Sequence, residues 1–130
     1  MISLKSLYTG KERRLSKRHV VSWDAILEVT FPDSHGQIAV KVVNFSIGGA
    51  LLHSEQFTVN NKHLFITETK PELTLKISLP KRILQLRVEI AWYNVVAGRS
   101  IFEIGARFIN FKEESNMSTD ELIQLIDAAE

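Results

Sequence analysis

Every second residue from Leu84 to Trp92 is apolar, with Gln85, Arg87, Glu89 and Ala91 in between. A period of two is the pattern of a strand that buries one face and wets the other. The same alternation runs through Val21, Trp23, Ala25, Leu27 and Val29, with Ser22, Asp24, Glu28 and Thr30 opposite. Shorter versions fall at Ile38–Val42, Ala50–His53, Leu73–Leu79 and Phe102–Phe108. Short strands in such number, with turn formers between them, argue for an antiparallel barrel or sandwich.

The intervening segments support this division. Pro32-Asp33-Ser34-His35-Gly36 is dense in turn formers, Pro80-Lys81 stops the Leu73–Leu79 run, and Asn94–Ser100 reads as a loop around Gly98. Residues 54–72 lack a period and read as a long connection holding a short strand at Leu64–Thr67. Near the C-terminus the period changes. Ser118-Thr119-Asp120-Glu121 is a capping box, and Leu122, Leu125, Ile126 and Ala129 follow at helical spacing. That helix needs an apolar surface to lie on.

A chain of 130 residues suits one domain with a single core. No signal peptide is visible, and no apolar run approaches the ~20 residues of a membrane helix. With no cysteine, disulfide scaffolds and cysteine-ligated zinc are excluded, and the cytoplasm is the expected compartment. The net charge of +1 hides an asymmetry. Residues 1–19 carry six cationic side chains against Glu12, a local charge of +5, while the remainder carries −4. This stretch has no sustained period beyond a short helical turn expected around Leu4 and Leu7, and reads as a flexible arm. A basic arm on an acidic body suits an anionic partner.

Two short motifs narrow the reading. Arg13-Arg14-Leu15-Ser16-Lys17-Arg18 lies in the arm, and Asn44-Phe45-Ser46-Ile47-Gly48-Gly49 lies between two strand-like runs. The second stretch alone is an ordinary turn, since Asn and Ser fold back onto their own backbone. Arginines four apart, then one strand, then Asn-x-Ser-x-x-Gly, resemble the paired signatures of the PilZ family, bacterial receptors for cyclic di-GMP. Val88–Trp92 looks like that family's late strand ending in tryptophan, and Ile104–Phe108 like its closing Gly-x-x-Phe strand.

The resemblance covers residues 12–130 as the domain, with 1–11 a flexible arm. It implies an all-β fold, a six-stranded antiparallel barrel with a C-terminal α-helix. It also implies ligand contacts from Arg14, Arg18, Asn44, Ser46 and Gly49. The family admits Asp or Asn at the first motif position. Asn44 lacks a carboxylate that would accept from guanine N1 and N2, which tunes affinity down.

The residue chemistry fits such a ligand. Arginine forms bidentate bonds to phosphate or to guanine O6 and N7. Residues four apart project to one side, so Arg14 and Arg18 can reach one ligand together. Asn44 and Ser46 offer short donors and acceptors, while Gly48 and Gly49 leave room for a base or sugar. Arg13, pointing opposite to its neighbour in an extended segment, could meet a second ligand, so two cyclic di-GMP molecules per chain are expected. The arm would order on binding and alter the surface shown to an effector protein.

Two other readings compete, a ligand-independent adaptor and a small barrel for RNA or single-stranded DNA. The latter wants aromatic residues among the basic ones, and the arm has only Tyr8. Neither a Gly-x-Ser-x-Gly elbow nor a Walker A loop is present, so no enzyme is expected. His19, His35, His53 and His63 lack metal-ligand spacing and read as surface or locally bonded residues, with no metal or cofactor implied. Trp92 reads as core or barrel-edge packing.

Overall fold

The alternating runs close on themselves. In the computed structural model, residues 17–59, 61–64, 70–96, 98 and 100–129 are described. Strands β1 (His19–Phe31), β2 (Ser34–Phe45), β3 (Gly49–Ser54), β6 (Glu72–Ser78), β7 (Ile83–Val95) and β8 (Phe102–Phe108) form a closed barrel in the order β1-β2-β3-β8-β7-β6. Every adjacent pair is antiparallel. Closure satisfies the outer strands' amides and carbonyls and leaves no sheet edge for aggregation. The expected six-stranded barrel is the observed one.

The inward residues of each run fill the barrel. Leu27, Val42, Leu52, Leu75, Ile77, Leu86 and Ile104 are completely buried. Each such side chain contributes ~1.5–3 kcal/mol by leaving water, which is why the period of two governs the fold. The strands outrun their expected limits at several ends. The Pro32–Gly36 stretch tightens to a hairpin turned at Pro32 and Asp33, and β7 continues to Val95 into the expected loop. The long connection carries a hairpin of β4 (Thr58–Val59) and β5 (Lys62–His63). Of the strand expected at Leu64–Thr67, only Leu64 is described; it is buried, and its amide donates to the Phe57 carbonyl at 2.8 Å.

Two helices follow β8. The first, α1 (Phe111–Ser115), was not legible in the periodicity, being a single turn closed by Asn116 in the left-handed region. It is tied to the barrel by the Arg82 guanidinium donating to the Ser115 carbonyl at 2.8 Å, and by Arg87 against Glu114. The second, α2 (Thr119–Ala129), begins with the expected capping box. The Glu121 amide donates to Ser118 Oγ at 3.1 Å, and the Ser118 amide to Glu121 Oε1 at 3.4 Å. Its Leu122 and Ile126 are buried and the helix lies against β1.

Candidate functional site

The Asn44–Gly49 stretch forms a tight corner from β2 into β3. The Ser46 amide donates to the Gly49 carbonyl at 2.9 Å, and the Gly48 amide donates to Ser46 Oγ at 3.2 Å. Ser46 Oγ in turn donates to the Gly49 carbonyl at 3.4 Å. The hydroxyl therefore holds the turn, and only 9% of the residue is exposed. Phe45, between the two motif polar residues, is the anchor. It is buried among Trp23, Phe108 and Phe111, with ring centroids 5.2–5.8 Å away. This aromatic plug closes the barrel directly beneath the corner. The motif reading passed over Phe45, although an apolar residue between Asn and Ser was the available signal.

Asn44 reaches the outer face because of a bulge. Val42 pairs with Leu52 and Asn44 with Leu51, so Val43 is an extra residue in β2. Without it, Asn44 would share the inward parity of Val40 and Val42. With it, Phe45 turns inward opposite Ala50, and Asn44 lies between Val20, 74% exposed, and Leu51. A second bulge at Ala91 in β7 has the same effect on Trp92. Trp92, read as core or barrel-edge packing, lies outside the core on the outer face, 43% exposed, with its indole across Gly105. A Cβ at Gly105 would stand within 3 Å of three indole ring atoms.

The two glycines of the corner differ. Gly48 is exposed, and a Cβ there would meet nothing nearer than Ser46 Oγ at 3.8 Å. Gly49 begins β3 and packs its bare Cα against the Ala106 carbonyl of β8, so barrel closure itself requires glycine there. The Phe108 amide donates to the Gly48 carbonyl at 3.0 Å, stitching the corner to β8.

The register of β1 sets Arg18 at this place. His19 pairs with Phe45 and Val20 with Asn44, so Arg18 enters β1 beside the corner, exposed like Lys17. Arg13 and Arg14 lie outside the described residues. His19, read as a surface or locally bonded residue, is buried at 6% exposure because its position faces inward with Phe45. His53 stays half-buried, 3.4 Å from Glu103 across β3 and β8. A separate cavity of about 720 Å³ lies where β7 runs past the start of β6, lined by Pro71, Glu72, Glu89, Trp92 and Tyr93 among others. It contains none of the corner residues.

A barrel of this order, with an Asn-x-Ser-x-x-Gly corner facing the entry of β1, matches a known family. The model of the PilZ domain matches residues 12–128. The chain belongs to the PilZ domain family. Among solved structures, the PilZ domain of YcgR from Escherichia coli, determined with c-di-GMP, is similar at a TM-score of 0.57 and 11% identity. The match covers 87% of this chain and 88% of that one. At that identity the likeness speaks for the PilZ fold. No curated protein matches the sequence. No helix among the described residues is long and apolar enough to cross a membrane.

Proposed function

We propose that this PilZ domain is a cyclic di-GMP receptor that signals by binding alone. The observation that supports the reading is the pairing of His19 with Phe45 and of Val20 with Asn44, which sets Arg18 beside the Asn44–Gly49 corner. The ligand has two phosphates and two guanines. Arg14 and Arg18 meet phosphate or guanine from the arm, with Arg13 reaching a second ligand. Asn44 offers its amide to a base edge from the outer face. Gly48 and Gly49 leave the corner low enough for a base to approach. The c-di-GMP held by the similar YcgR domain supports the choice of ligand.

Binding fixes the arm over the corner, and the altered surface is what an effector protein recognises. The coupling is a difference in affinity between free and bound states, so effector and ligand affect each other equally. Calorimetric titration with cyclic di-GMP, GTP and a random oligonucleotide at two salt concentrations tests the reading. Saturable binding of cyclic di-GMP alone is expected. Oligonucleotide binding that collapses with salt would assign the basic arm to nucleic acid, and no binding to any of the three would leave an adaptor working by protein contact.

A further inference from the structure

The corner continues across the barrel into a pair of charges that neither motif includes. Gly49 pairs with Arg107 on β8, and Arg107 pairs with Glu89 on β7. Arg107 and Glu89 face outward, since their neighbours Ala106, Phe108 and Val88 are buried. The Arg107 guanidinium donates to Glu89 Oε1 at 2.7 Å. Arg107 pairs directly with Gly49 across β3 and β8, so its side chain is the next one beyond the corner. The adjoining outward row is Asn44, Leu51 and Gly105, the last covered by the Trp92 indole. Both charged side chains are more than half exposed, so their bond adds little to stability and opens readily.

We infer that Arg107 and Glu89 form the base-reading pair of this site, selecting guanine over adenine in a bound cyclic dinucleotide. The inference rests on the cyclic di-GMP reading above and deepens it. Guanine presents acceptors at O6 and N7, which suit an arginine fork, and donors at N1 and N2, which suit a carboxylate. Arg107 and Glu89 offer those groups side by side from adjacent strands. Adenine reverses the pattern, placing its N6 amino group against the guanidinium and its N1 lone pair against the carboxylate. The pair also supplies the carboxylate that Asn44 lacks. Other cross-strand pairs, such as Lys41 with Asp24 and Lys76 with Glu28, occupy rows away from the corner and offer no planar fork.

The test is calorimetry of the full chain with cyclic di-GMP and cyclic di-AMP. The parent should prefer cyclic di-GMP. Glu89→Gln and Arg107→Gln should each lower that preference about tenfold or more, with unchanged melting temperatures. The double exchange Glu89→Arg with Arg107→Glu keeps the ion pair but swaps donor and acceptor, and should not restore the preference. A parental ratio in either single variant or in the exchange overturns the assignment while leaving the receptor reading intact. So does a parent that binds both dinucleotides alike. A parent that binds neither overturns both readings.

Discussion

Replacing Gly49 by alanine should destabilise the barrel, whereas the same change at Gly48 should not. A Cβ at Gly49 would stand inside 3.0 Å of the Ala106 carbonyl oxygen, with Arg107 Cα at 3.4 Å. Both are backbone atoms and cannot rotate away. The start of β3 and β8 must part by roughly half an ångström or more to restore contact, an overpacking cost of ~1–3 kcal/mol. That movement lengthens the bond from the Phe108 amide to the Gly48 carbonyl, now 3.0 Å. Weakening it adds ~0.5–1.5 kcal/mol. Alanine stiffens the unfolded chain and returns ~0.4–1 kcal/mol. The net loss is therefore ~0.5–4 kcal/mol, or roughly 2–15 °C in melting temperature for a domain of this size.

At Gly48 the nearest atom to a Cβ is 3.8 Å away, and neither corner glycine shares the left-handed backbone of Gly98, φ 76°. Gly48→Ala should stay within ~0.5 kcal/mol of the parent. Urea denaturation of the three proteins, compared at a common m-value, measures both effects. A Gly49→Ala protein as stable as the parent would refute the close-approach argument. Loss of cyclic di-GMP affinity in a fully stable Gly48→Ala protein would locate the ligand over the corner without any confounding loss of fold.

Arg14→Ala and Arg18→Ala should each weaken cyclic di-GMP binding by ~1.5–3 kcal/mol, with the melting temperature unchanged; parental affinity in either removes that arginine from the site. Two ligands per chain are expected at saturation and one in Arg13→Leu, so a single ligand on the parent in calorimetry would refute the second contact. Lys62, hydrogen-bonded and ion-paired to Asp33, holds that exposed carboxyl below the ordinary aspartate range. A depressed folded pKa gives a contribution present above the unfolded value of ~3.9 and lost as pH falls through the folded value. Lys62→Met should raise the Asp33 pKa in an NMR titration, and an unchanged value would show that the pair does not persist in solution.

Much of the architecture was legible from side-chain period alone. Leu27, Leu75, Leu86 and Ile104 sit in runs whose alternation admits one buried face, and each proved buried. The capping box at Ser118–Glu121 was equally readable, because both its hydrogen bonds join residues three apart. The one-turn helix Phe111–Ser115 was not, since five residues carry no period and its hold on the barrel comes from distant residues, Arg82, Arg87 and the rings packed on Phe111.

The candidate site divides along the same line. Residue types and spacing singled out Asn44, Ser46, Gly48, Gly49 and the arginine segment, since these features are local in the chain. Where each side chain points was decided by pairing between strands. The extra residues Val43 and Ala91 shift the register within β2 and β7, turning Asn44 and Trp92 to the outer face while Phe45 enters the core. The pairing of Gly49 with Arg107, and of Arg107 with Glu89, joins residues far apart in sequence and therefore left no mark in the local pattern. A bulge is one residue that a strand has and its partner lacks, so only the closed barrel, which fixes which residues face each other, could place it.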